Sequence, residues 1–297
     1  MASRTKKIEQ KLGYFLFARF QRSFLHKDQL EAERAGAKLG MLLYRLDKKH
    51  RSRALSNLAL AFPDIPEERR IELAHNCFQH FGRTFADFLR SPARSPDDVL
   101  ETCPILDLHY IDDALAKGTG VILVTGHFGN WERVAHTMAT KGYKVTVVAR
   151  DANDTGLNRE VMKIREHQGI EVLSRGNAAR GILRKLKQNE IVAMLTDQNS
   201  GDIFIPFFGK PAGTVTGVSS IHLKTGAPLI PIYCRWLSPG RFEGRILPAL
   251  KPVPGFEPLE GITRSINLSL EEAIRETPEQ WLWFHDRWKS ARRAGLL

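Results

Sequence analysis

Apolar residues recur every four positions near the start of the chain. Leu12, Leu16, Phe20 and Phe24 form a stripe that Phe15 and Phe17 widen, with Lys11, Arg19 and Arg22 at its flanks. The spacing predicts a helix over residues 6–25. Such a helix suits a membrane interface, its apolar face down and its cations among the headgroups. It equally suits a helix packed on the protein's own core, with the arginines snorkelling. Two more helices are predicted over 29–46 and 48–61. "PDIPEERRIELAHNCFQHFGRTFADFL" reads as a fourth and a fifth, starting where Pro66 fixes φ and Glu67 and Glu68 meet the positive end of the helix dipole. "SPARSPDD" (91–98) interrupts the helical pattern.

Beyond about residue 100 the pattern changes. Short apolar runs at 120–126, 143–150, 170–174 and 190–197 read as strands, and helical spacing follows the first three at 130–140, 156–168 and 177–188. After a loop come a helix over 216–225, the strands "PLIPIYCRW" and "RFEGRIL", and helices over roughly 258–276 and 278–286. Strands alternating with helices imply an α/β fold, a mostly parallel central sheet flanked by helices. The expected division is a helical, basic, membrane-associating region over 1–98 and an α/β domain over 99–297. In such sheets the working residues gather beyond the carboxyl ends of the strands. His127, Arg150 and Asp197 each fall at the end of one predicted strand.

The charge sharpens the N-terminal reading. Residues 1–53 carry fourteen Lys or Arg against five Asp or Glu, so +9 of the chain's +11 sits there. Nucleic acid and an anionic membrane surface both attract such a segment. The cations lie on a Phe-rich helix and no nucleic-acid motif follows, which favours the membrane. No run approaches the ~20 apolar residues that span a bilayer. "LGYFLFARFQRSFL" is broken by Arg19 and Arg22, and no small-residue cleavage site follows it. The three cysteines, far apart, read as reduced core thiols of an intracellular protein, and no His/Cys spacing suggests a metal.

The chemistry concentrates in "VTGHFGNWER" (124–133). On one regular helix His127 and Glu132 would point about 140° apart. The histidine is therefore expected before the helix and the glutamate in its first turns, with Gly126 and Gly129 freeing the bend. A carboxylate on one ring nitrogen would fix the tautomer and raise the basicity of the other, as removing a proton from an attacking hydroxyl requires. The alternative is a capping histidine beside an unrelated surface glutamate.

"GVILVTGHFGNWE" resembles the His–four residues–Glu block of the late acyltransferases of lipid A biosynthesis, the lauroyl/myristoyl transferase family. "VVARDANDTGLNREVMKIREHQGIEVL", the long stretch from "LKQNEIVAMLTDQNSGDIFIPFF" to "PLIPIYCRW", and "TPEQWLWFHDRWKS" resemble its later blocks, in order, over about residues 100–290. The resemblance implies a membrane-associated O-acyltransferase at the cytoplasmic face of the inner membrane. It would move a fatty acyl chain from acyl carrier protein or coenzyme A, as co-substrate and with no further cofactor, to a hydroxyl of a lipid A precursor or related glycolipid. Another acceptor, a phosphatidylinositol mannoside-like glycolipid or an aminolipid, stays open, as does a non-catalytic lipid-binding homologue.

Carried over by position, His127 would be the general base and Glu132 its partner, with Arg150, Asp197 and Gln198 in the site. Arg150 could bind a phosphate or carboxylate, or be a strand-end surface residue. Asp197 and Gln198 could be a polar turn. In "IPFFGKPAGTVTG", Phe207 and Phe208 could line an acyl groove or plug the core, and Thr214 and Thr216 could cap the next helix and leave its N–H groups for an anion. The sequence departs from the family pattern at Asp286, where an arginine usually follows the histidine, and in its short, arginine-broken N-terminal helix.

Overall fold

Asp28 opens the helical layer with a reciprocal cap: its carboxylate accepts the Glu31 N–H at 2.8 Å while Glu31 reaches back to the Asp28 N–H. The computed structural model describes residues 17–149, 155–174 and 178–297, with residues 155–158 in backbone only. Helix α1 is described over 17–25; α2 (Gln29–Leu46), α3 (Lys48–Ala61) and α4 (Glu67–Arg90) follow. The residues expected as two helices after Pro66 form the one 24-residue helix α4. Its cause is a single amphipathic repeat that nothing interrupts before Ser91. α2 and α4 touch backbone to backbone. A Cβ on Gly36 would stand 2.3 Å from the Gly82 carbonyl oxygen, and one on Gly82 would stand 2.0 Å from that of Gly36, so only glycine permits this approach.

Of the N-terminal stripe, Phe24 is buried with Phe88, Leu89 and Ile164, whereas Phe20 is exposed. Lys11, Leu12, Phe15 and Leu16 lie outside the described residues.

The interrupting segment holds a 3-10 turn, Ser91–Ala93, and then α5 (Pro96–Thr102), which Ser95 caps. β1 (Ile105–Leu106) and α6 (His109–Leu115) lead to the repeating part: β2 (Val121–Thr125), α7 (Trp131–Thr140), β3 (Val145–Ala149), α8 (Thr155–His167), β4 (Glu171–Ser174), α9 (Ala178–Lys187) and β5 (Ile191–Leu195). A hairpin of β6 (Ile203–Phe207) and β7 (Lys210–Thr214) precedes α10 (Gly217–Thr225), β8 (Leu229–Ser238), β9 (Arg241–Ile246), α11 (Pro258–Glu276) and α12 (Lys289–Arg293).

Seven strands form one sheet in the order β1-β9-β8-β2-β5-β3-β4. Its pairings are parallel except β8 with β9. The mostly parallel, helix-covered sheet expected from the strand–helix alternation is the observed architecture. β2 is buried at every position, as a central strand covered on both faces must be.

Two expectations fail for identifiable reasons. The 203–214 segment, expected as loop, is the β6–β7 hairpin; Pro206 and Pro211 sit opposite each other and Phe208 and Gly209 take positive φ at its turn. Prolines and a Phe-Gly turn are poor sequence signals for a hairpin. Residues 278–286, expected as helix, make one 3-10 turn (Pro278–Gln280), bridge at Trp281 to Phe128 in the loop after β2, and then pass through turns.

Candidate active site

β2 and β5 lie side by side, parallel and in register from Val121↔Ile191 to Thr125↔Leu195. Each chain leaves the sheet at the same edge, and two residues later β2 presents His127 and β5 presents Asp197. His127 Nδ1 stands 2.9 Å from Asp197 Oδ1. The His127 backbone N–H donates to Oδ2 at 2.8 Å, and the Trp281 indole Nε1–H donates to the same oxygen at 2.9 Å. Asp197 is almost wholly buried. Burial pushes its carboxyl up, but the charge and hydrogen bonds of His127 and the Trp281 donor outweigh this and hold it at about 2. The ionised carboxylate can only accept, so Nδ1 carries a proton, and in the neutral ring the lone pair is then on Nε2. Nε2 faces the open side, where the Gln198 amide nitrogen is 3.5 Å away and the Trp131 ring centroid is 5.0 Å from that of the imidazole.

The loop carrying His127 is held from three directions. The Gly129 N–H donates to the Gln280 carbonyl at 2.8 Å, the Asn130 N–H to that of Cys234 at 2.9 Å, and the Leu282 N–H to that of His127 at 3.2 Å. From α4, His80 Nε2 donates to the Gly129 carbonyl at 3.0 Å. Gly129 has φ +57, and a Cβ there would stand 1.6 Å from the Cys234 carbonyl oxygen. No other residue fits this turn.

Glu132 does not partner His127. It lies in the first turn of α7, where Arg165 from α8 grips it through two bonds, Nε to Oε2 at 3.1 Å and a terminal nitrogen to Oε1 at 2.5 Å. The Trp131 indole N–H adds a third at 3.1 Å. The carboxylate expected on the imidazole is Asp197, because parallel β2 and β5 bring residues 127 and 197 to one edge, while the start of α7 turns Glu132 toward α8. The five-residue spacing thus marks two adjacent sites rather than one pair.

Other expectations divide. Gln198 stands beside His127, its amide nitrogen 3.5 Å from Nε2. Arg150 lies outside the described residues. Phe207 and Phe208 plug the core: Phe207 packs on Trp281 and Trp288, and Phe208 on Trp283 and Phe62, and neither ring lines a described cavity. Thr214 is a buried β7 residue that bonds the Ala212 carbonyl and accepts from Arg287, so it caps no helix. Thr216 is at the N-cap of α10 but makes no side-chain cap bond; its N–H is taken at 3.1 Å by the Asp202 carboxylate, a built-in anion. Asp286 pairs with Arg292 at 2.6 Å and Arg53 at 3.7 Å.

Two cavities meet at this edge. A mixed cleft of about 590 Å³ is lined by His127, Gln198 and Thr216 together with the apolar Val148, Ile182 and Met194. An apolar groove of about 620 Å³ runs along α4, lined by Leu39, Leu43, Phe81, Phe85, Phe88 and Phe284. Trp131 and Arg165 line both. Arg165, Trp281 and His285 lie within the blocks quoted above, but only the fold shows what each one meets. Among the described residues, no group of three or more His, Cys, Asp or Glu could hold a metal ion.

An imidazole bonded to a buried carboxylate thus lines a cleft that adjoins an apolar groove. The chain belongs to the bacterial lipid A biosynthesis acyltransferase family, whose profile matches residues 10–290. It is 24% identical over 250 residues to the lipid A biosynthesis acyltransferase of Haemophilus influenzae, covering 83% of this chain and 78% of the relative. It is 24% identical over 261 residues to the lipid A biosynthesis lauroyltransferase of Escherichia coli K12, with 86% and 85% covered. It is also 27% identical over 240 residues to a phosphatidylinositol mannoside acyltransferase of Mycobacterium tuberculosis, with 73% and 72% covered. The protein is an acyltransferase of this lipid A and phosphatidylinositol mannoside type.

Proposed function

We propose that the protein transfers a fatty acyl chain from a thioester donor, acyl carrier protein or coenzyme A, directly to a hydroxyl of a glycolipid. His127 Nε2 takes the hydroxyl proton as the oxygen attacks the thioester carbonyl. Asp197 stabilises the imidazolium that forms. The new C–O bond closes, the C–S bond breaks, and the proton passes from His127 to the departing sulfur. The Gln198 amide, on the open side of the imidazole, is in reach of the oxyanion. The apolar groove takes the acyl chain, and the mixed cleft at His127 takes the acceptor's head. The observation that carries the reading is the 2.9 Å contact of His127 Nδ1 with Asp197, which leaves Nε2 turned to the cleft beside the Gln198 amide.

The acceptor is a lipid A precursor or a related glycolipid; two of the relatives are acyltransferases of lipid A biosynthesis and the third is a phosphatidylinositol mannoside acyltransferase. Mass spectrometry of cell lipids with and without the protein tests this. One glycolipid that gains a single acyl chain only when the protein is present supports the reading; an unchanged lipid profile contradicts it.

The enzyme works at the cytoplasmic face of the inner membrane. Its basic N-terminal region supplies the attraction to anionic lipid. Among the described residues no helix is long and apolar enough to cross a membrane, while Leu42, Leu46 and Phe20 are exposed. Co-sedimentation with anionic but not neutral vesicles supports this attachment, and indifference to lipid charge contradicts it.

A further inference from the structure

The segment that begins at the Pro278–Gln280 turn touches both halves of the base. Trp281 donates its indole N–H to Asp197 Oδ2 at 2.9 Å, the Leu282 N–H holds the His127 carbonyl, and the Gln280 carbonyl accepts the Gly129 N–H. Four residues on, His285 Nε2 accepts the Asn199 backbone N–H at 3.0 Å, fixing the turn that carries Gln198. Burial lowers His285 to about 4, so the ring is neutral near pH 7 and its lone pair is available to that N–H.

The segment is itself braced. Asn57 of α3, fully buried, donates to the carbonyls of Trp283 and His285 at 2.8 and 2.7 Å. Cys77 of α4 bonds the Trp281 carbonyl at 3.1 Å. The Gln280 side chain makes two 2.9 Å bonds to the Trp236 backbone. A segment with so many fixed points does not merely fill space beside the site.

We infer that Trp281 and His285 are positioning residues of acyl transfer: the indole N–H sets the orientation of Asp197, and the imidazole sets the turn bearing Gln198. This rests on the reading of His127 as the base. The helical layer thereby reaches the chemistry, since Asn57 and Cys77 hold the strap from α3 and α4.

Turnover of dodecanoyl-acyl carrier protein with a lipid A precursor reads the inference. Trp281→Phe should lower kcat at least ten-fold and leave the KM for the donor unchanged. In an Asp197→Asn background the same change should add nothing, because its route of action is already gone. His285→Phe should lose kcat, and His285→Gln, which offers an acceptor oxygen, should restore most of it. If Trp281→Phe fails to fold, benzothienylalanine at 281 keeps the ring's shape and removes only the N–H.

A proton spectrum in water reads the same point without substrate. The Nδ1–H resonance of His127 should vanish in Asp197→Asn and shift in Trp281→Phe. An unmoved resonance, a kcat within two-fold of the parent, an equal loss in the Asp197→Asn background, or equal loss in both His285 variants overturns the inference. Retained activity in His127→Ala instead overturns the reading beneath it.

Discussion

The imidazole of His127 and the carboxylate of Asp197 meet at 2.9 Å across 70 residues of sequence. Their strands are neighbours in the sheet, so the pair is fixed by the register of β2 and β5 rather than by any local motif. Asp197→Asn keeps the size of the side chain and removes the charge that stabilises the imidazolium. We predict a fall in kcat of about 10²–10⁴, with far-UV circular dichroism unchanged. Turnover within three-fold of the parent would place Asp197 outside the chemistry.

Glu132 has a different task, and its variant should fail differently. Its side chain and that of Arg165 are only 12% and 17% exposed. Glu132→Gln leaves the guanidinium without a counter-charge in that setting, at a cost of about 3 kcal/mol. Urea denaturation should show this loss, and adding Arg165→Met should recover part of it. A Glu132→Gln protein of full stability that has lost all turnover would return Glu132 to the role of His127's partner.

The apolar groove should set chain length. Leu43 lines it and is half exposed, so Leu43→Trp narrows the groove without opening the core. Denying contact to two methylenes removes about 1.6 kcal/mol at ~0.8 kcal/mol each, roughly ten-fold in kcat/KM. Competition between donors differing by two or four carbons should show the variant favouring the shorter one. An unchanged preference would remove the acyl chain from this groove.

Stability should fall in mild acid because of buried histidines. Burial lowers His80, His136 and His285 each to about 4, below the ordinary value near 6.5. Between those limits the unfolded chain binds protons that the folded chain refuses. Stability therefore rises with pH across the window and is lost as pH drops from about 6.5 toward 4. Each histidine contributes a slope approaching 1.4 kcal/mol per pH unit. Denaturation at pH 7 and pH 5 measures it, and His136→Gln should flatten it. A pH-independent midpoint would contradict the burial.

Most of the sheet was legible because its strands are short apolar runs punctuated by helical spacing. His127, Asp197 and Gln198 were legible for the same reason, since each follows a readable strand. The partner of His127 was not. Local spacing favoured Glu132, and only the β2–β5 adjacency, a tertiary fact, delivers Asp197. Phe207 and Phe208 were ambiguous because a groove and a core demand the same side chains; three buried tryptophans decide for the core. Residues 278–286 read as helix, yet their backbone groups are claimed from several sides: the Gln280 carbonyl and Leu282 N–H by the His127 loop, the Trp281 carbonyl by Cys77, and the Trp283 and His285 carbonyls by Asn57.

His127→Ala tests the central claim most directly, assayed for acyl transfer beside a thermal melt of the same preparation. The proposed mechanism predicts a folded protein whose kcat has fallen by about 10²–10⁴. A folded variant that still transfers acyl chains within ten-fold of the parent rate would contradict it.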